Sequence, residues 1–171
     1  MRRLVIVAVL VAVLAVSYRS FGSAETGTGS LTLPQPSPNI GEVAPPFTVP
    51  SEEGGSFELS EEGAYVLVFL STLNGQSNQA RVGFEDLAQE YSGEDIEFAV
   101  VYVNSAPNDE SIAYEVLQDR TGKLTSEYNV KRVPRLFLIE DGRVRLVQNG
   151  YYPENEEQLE EEIQALLESR N

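Results

Sequence analysis

The sequence predicts an α/β domain, a central mixed β-sheet flanked by helices, with an N-terminal β-hairpin extension. Three observations carry this. Two continuous apolar runs, Tyr65–Leu70 and Phe98–Val103, bracket a segment of helical period; strands covered on both faces read as such runs. Asp141-Gly142 stands between two further apolar segments, and Asp-Gly so placed is a strong hairpin signal. Strand and helix patterns alternate along the chain, which implies a sheet with helices on its faces.

The elements follow in order. Phe47-Thr48-Val49 and Ser56–Leu59 alternate around Glu53-Gly54-Gly55, predicting a small hairpin. Tyr65–Leu70 is the first core strand. Residues 77–91 turn helical, with Phe84, Leu87, Ala88 and Tyr91 on one face. Gly83 inside that helix costs about 1 kcal/mol relative to Ala, which predicts a local irregularity there. Phe98–Val103 is the second core strand, parallel to the first. A polar stretch, Asn104–Ser111, leads to a short extended piece at Tyr114–Leu117 and a short helix over 122–128. Leu136–Glu140 and Val144–Gln148 form the antiparallel pair about Asp141-Gly142. The last helix begins near Glu154. Its Leu159, Ile163, Leu166 and Leu167 make one apolar stripe, and Glu154, Glu156 and Glu157 lie where the helix dipole favours anions.

The chain has 171 residues, 42% of them apolar, which suits one packed domain with extensions. It contains no cysteine and no histidine. Disulfides, thiolate nucleophiles, thiolate metal sites, His-dependent triads and imidazole ligands are therefore excluded. Three of the twelve basic residues, Arg2, Arg3 and Arg19, precede Glu25 and no acidic residue does, so residues 25–171 hold nine basic and 27 acidic groups, a net of −18. Such a domain repels nucleic-acid phosphates and anionic headgroups.

Residues 4–16 (LVIVAVLVAVLAV) are apolar throughout and follow Met1-Arg2-Arg3, the arrangement of an export segment. Gly22-Ser23-Ala24 offers a cleavage site, whereas Tyr18 and Phe21 suit a membrane interface. Residues 1–24 thus read as a signal peptide or an N-terminal membrane anchor, and both stay open. The expected location is extracytoplasmic, either free or tethered to the membrane through residues 4–16. No cysteine follows the apolar run, so no lipoprotein anchor forms. Residues 25–39 (ETGTGSLTLPQPSPN) lack bulky apolar groups and read as a flexible linker. Residues 40–171 are the folded domain.

Three segments of that domain resemble the thioredoxin superfamily, in its redoxin branches (TlpA/ResA-like and AhpC/TSA-like). Ile40-Gly41-Glu42-Val43-Ala44-Pro45-Pro46-Phe47-Thr48-Val49 is similar to the redoxin lead-in pattern G-x-x-A-P-x-F-x-L. Val130-Lys131-Arg132-Val133-Pro134-Arg135-Leu136-Phe137-Leu138-Ile139 resembles the cis-proline segment and the strand after it. Asp141-Gly142-Arg143-Val144 resembles the next turn. The resemblance covers about residues 40–170 and implies a thioredoxin-like fold with a cis peptide before Pro134. A proline at that place donates no ladder hydrogen bond, and X-Pro is the bond that adopts cis at small cost.

The resemblance also implies where the chemistry should be. The family's first central strand runs into W-C-x-x-C, and Phe69–Ser77 falls on that segment without a gap. Leu73 takes the Trp position, Asn74 that of the nucleophilic cysteine and Ser77 that of the resolving cysteine. An Asn amide is no nucleophile, a serine cannot form a mixed disulfide, and no sulfur is present to become a sulfenic acid. Ser77 as a nucleophile would need a base, and only Arg81 lies near it in sequence. Ser77 instead reads as the helix cap, and Asn74-Gly75 as a tight turn tolerating positive φ. The interval from Asn104 to Leu117 is shorter than in many envelope redoxins, which carry an extra helix there.

The glutamate runs Glu154/Glu156/Glu157 and Glu160–Glu162 read as solvated helix faces rather than cation sites. Asp119-Arg120-Thr121-Gly122-Lys123 completes neither a calcium loop nor a P-loop. No metal, cofactor or nucleic acid is expected. The leading expectation is an exported, redox-inactive binding or scaffold module for an envelope protein or extended peptide. Its groove would be lined by Leu73, Asn74, Gly75, Gln76, Val133 and Pro134, with Tyr128 as an apolar neighbour. The competing expectation is an oxidoreductase or peroxidase by family membership. A third is a structural subunit whose acidic surface meets a basic partner.

Overall fold

A computed structural model of the chain describes residues 38–52, 54–107 and 113–170. The expected export segment and most of the linker lie outside the described residues, as does part of the polar stretch after Asn104. In chain order the strands and helices are β1 (Phe47–Pro50), β2 (Ser56–Leu59), β3 (Ala64–Leu70), α1 (Gly75–Glu90), β4 (Glu97–Tyr102), β5 (Glu115–Gln118), α2 (Lys123–Glu127), β6 (Arg135–Glu140), β7 (Arg143–Asn149) and α3 (Pro153–Arg170). Among the described residues no helix is long and apolar enough to cross a membrane.

β3 is the axis of the sheet because its seven residues are all buried and can be covered on both faces. The strand order is β5-β4-β3-β6-β7. β3 pairs parallel with β4 and β6 antiparallel with β7, as the sequence pattern predicts, and β3 pairs antiparallel with β6. Alternate side chains of β3 divide between two cores. Ala64, Val66, Val68 and Leu70 meet α1 and α3 through Phe84, Leu87, Leu159, Ile163 and Leu166. Tyr65, Leu67 and Phe69 meet the β1–β2 hairpin and α2 through Phe47, Phe57, Leu59, Leu124 and Tyr128. Full burial of each such Leu, Val or Phe contributes about 1.5–3 kcal/mol.

The hairpin is an extension that closes one sheet edge. Ser51 bridges Leu117 and the Glu52 N–H donates to the Val116 carbonyl at 2.9 Å, so β5 is covered there. At the other edge Gly41, Glu42 and Ala44 bond to residues 142–144 at the start of β7. The β6–β7 turn has Asp141 at φ 47° and Gly142 at φ 70°, the two positive values a two-residue hairpin turn needs.

Two local expectations are corrected. α1 runs unbroken through Gly83. The glycine is there for a tertiary reason: a Cβ at Gly83 would lie 2.5 Å from the Tyr151 hydroxyl oxygen and 2.9 Å from Glu156 Oε1. Asn74-Gly75 is not a positive-φ turn; Asn74 is extended at φ −118°, ψ 123°, and Gly75 opens the helix.

Candidate functional site

The site lies at the C-terminal end of β3, where the chain turns through Ser71–Asn74 into α1. The cap of α1 is Asn74, not Ser77. Asn74 Oδ1 accepts from the N–H groups of Gln76 at 2.8 Å and Ser77 at 3.2 Å, satisfying two of the helix's open donors. Ser77 is the third residue of the helix and 1% exposed. Its Oγ accepts instead from the Ser71 N–H at 3.2 Å, which folds the turn back on the helix.

The other wall is the loop before β6. The Val133–Pro134 peptide is cis. Asn74 Nδ2 donates to the Val133 carbonyl at 3.2 Å, so one amide side chain both caps the helix and ties it to a loop 59 residues away. Pro134 is buried, and its carbonyl accepts from the Gly150 N–H at 2.9 Å. Behind it is an apolar cavity of about 40 Å³ among Val68, Phe84, Leu136 and Tyr151.

The structure therefore brings Asn74, Val133 and Pro134 together. Gln76 and Gly75 are exposed beside them, and Leu73 is 89% exposed. It is the most exposed large apolar side chain among the described residues. Tyr128 does not join them. It is 0% exposed, packs against Phe47, Phe69 and Phe137, and donates its hydroxyl to the Pro45 carbonyl at 2.8 Å. Burial raises its pKa far above the ordinary phenol value, so it is a core hydroxyl rather than a groove residue.

One polar partner escapes a reading of the motifs. Asn104 accepts from the Thr72 N–H at 3.2 Å and donates to Thr72 Oγ1 at 2.6 Å, pinning the turn to the end of β4. Arg81 bonds to Glu85 at 3.2 Å, and its pKa is raised first by a hydrogen bond with Tyr114. A permanently charged guanidinium is no base for Ser77. On the hairpin side an open cleft of about 440 Å³ is lined by Glu58, Glu97 and Glu115. Burial, then Glu115 and Asp95, raise the Glu97 carboxyl above its ordinary pKa. Among the described residues no three acidic groups converge as a metal site needs.

Comparison with solved structures finds the same fold elsewhere. A thiol:disulfide interchange protein DsbE from Chlorobium tepidum is 27% identical with a TM-score of 0.67, over 75% of this chain and 98% of that one. A protein disulfide isomerase from Bacteroides thetaiotaomicron is 19% identical with a TM-score of 0.68, over 76% and 91%. The exposed lipoprotein thioredoxin Etrx1 of Streptococcus pneumoniae is 18% identical with a TM-score of 0.57, over 67% and 96%. The fold is thus thioredoxin-like, and the neighbours are described as thiol–disulfide proteins. No curated protein sequence matches. Residues 40–147 match the AhpC/TSA family, from the lead-in segment into β7. With a match over more than half its length, and with the thioredoxin-like sheet and cis-proline loop in place, the chain belongs to the AhpC/TSA family.

Proposed function

We propose that this is an exported thioredoxin-like protein without thiol chemistry, which binds an extended peptide or envelope protein at the groove between the Asn74 turn and the Pro134 loop. The observation that carries the reading is Asn74. It stands where the family's nucleophile is expected, and both ends of its amide are spent on structure. The chain holds no cysteine that could act in its place. Capture of an extended chain by main-chain hydrogen bonds requires no sulfur. Export is supported by the apolar run after Arg2-Arg3 and by the likeness to an exposed lipoprotein.

A photo-crosslinking residue at the exposed Leu73 position tests the groove in envelope extract. Crosslinks that disappear in a Val133→Asp variant of unchanged fold support it. Crosslinks that persist unchanged, or none at all, count against it. The enzymatic reading is favoured by the DsbE likeness. Insulin reduction or peroxide consumption above that of a boiled control would establish it and overturn ours.

A further inference from the structure

The nine basic residues after Glu25 are unevenly engaged. Arg81, Arg120, Lys123, Arg145 and Arg170 each face a carboxylate within 4 Å, and Arg143 donates to the Gly41 carbonyl at 2.9 Å. The remaining three, Lys131, Arg132 and Arg135, fall within five residues around the cis peptide. Lys131 and Arg132 are exposed and form no ion pair among the described residues. Arg135 is 4% exposed, with its guanidinium carbon 5.0 Å from the Phe137 ring centre. It donates once, to the Asn129 carbonyl at 3.0 Å, and its Nε has no partner. Among the described residues four of the nine cations thus have no carboxylate partner, and three of the four stand at this one turn.

The backbone of the same turn is open as well. The Val133 carbonyl holds Asn74, but the Val133 N–H makes no hydrogen bond among the described residues. Val133 as a residue is half-buried, and its N–H is a main-chain donor that an extended chain can take up. Val133 follows Lys131 and Arg132 directly in the chain, and its carbonyl reaches Asn74, the residue after the exposed Leu73.

We propose that the occupant of the groove is an extended peptide bearing acidic side chains. Val133 donates to its main chain, and Lys131 and Arg132 receive its carboxylates. This rests on the groove reading above and adds a ligand class to it. Charge complementarity selects the class: a domain of net −18 repels an acidic chain elsewhere, so this turn is the place where one is accepted. Arg135 adds a fixed positive charge beneath the loop, where it cannot rotate away into solvent. Each exposed ion pair is worth up to about five-fold in affinity, enough to set preference and register rather than to supply binding by itself.

The test uses the full chain in detergent solution and two peptides with a neutral fluorophore and blocked ends, one of alternating Val and Glu, the other of alternating Val and Gln. Fluorescence anisotropy at low salt should show the Glu peptide binding about five-fold or more tightly than the Gln peptide. The Lys131→Gln/Arg132→Gln variant should erase that difference, with the Gln peptide and the melting curve unaffected. Equal affinities in the wild type overturn the acidic preference while leaving the groove reading standing; no binding of either peptide overturns both. A Glu-peptide affinity untouched by the double substitution also overturns the proposal. So does retention on phosphatidylserine-containing vesicles that the variant loses, without discrimination between peptides, since it reassigns the two cations to a lipid surface.

Discussion

At the scale of single residues, Asn74 concentrates the most structure in one side chain. Asn74→Ala removes the cap and the bond to Val133 and should cost about 1–2 kcal/mol. A urea midpoint lowered at unchanged slope reads it. Asn74→Asp keeps the acceptor for Gln76 and Ser77, and its charge suits the helix N-terminus. It also turns an oxygen toward the Val133 carbonyl, so its stability should fall between wild type and Asn74→Ala. Ser77→Ala leaves the Ser71 N–H without its acceptor beside a buried helix face and should cost about 1–3 kcal/mol. The alignment by resemblance singled out both residues. Their roles were not legible, because Asn and Ser are both good caps and stand three residues apart. What decides between them is the Val133 carbonyl, 59 residues along the chain, which no local preference can register.

At the scale of elements, strands were the most legible, because alternation and continuous apolar runs report burial directly. Leu136–Glu140 and Val144–Gln148 were placed within a residue of β6 and β7. The helix interior was less legible at Gly83, where propensity predicts a break and packing supplies a contact. Tyr151, just ahead of α3, lays its hydroxyl over the glycine and hydrogen-bonds Glu156 at 3.2 Å. Gly83→Ala gains about 1 kcal/mol of helix propensity, but the overpacking it forces costs about 1–3 kcal/mol. The net should be a loss of up to about 2 kcal/mol. Tyr151→Phe removes the atom that clashes first. In a double-mutant cycle Gly83→Ala/Tyr151→Phe should therefore be more stable than Gly83→Ala alone, with a coupling energy of about 1 kcal/mol. Additive losses would mean that α1 and the Tyr151 segment do not meet through this contact.

At the scale of the whole molecule the governing quantity is charge, and its sign was legible from composition while its consequences are positional. Of the five ion-paired cations Arg120 and Lys123 are exposed and Arg81, Arg145 and Arg170 half-buried, and surface pairs of this kind contribute little each, so the excess of carboxylates is left to repel itself across the folded surface. Glu97 marks where this is felt. Burial, then Glu115 and Asp95, raise its pKa above the ordinary carboxyl value. The folded state therefore holds that proton more tightly than the unfolded chain. Its effect on stability is most favourable at and below the ordinary carboxyl range and is lost as pH rises through the raised value. Glu97→Gln removes a charge that the fold disfavours, so its melting temperature should exceed that of the wild type at neutral pH, with the gap closing as pH falls through the raised value into the ordinary carboxyl range. Added salt should act in the same direction by shortening the reach of the repulsion to about 8 Å at physiological strength. The thermal midpoint at neutral pH should thus rise between low and physiological salt, and rise less in Glu97→Gln. A midpoint that falls with salt in both proteins would show instead that the surface ion pairs outweigh the repulsion among the 27 carboxylates.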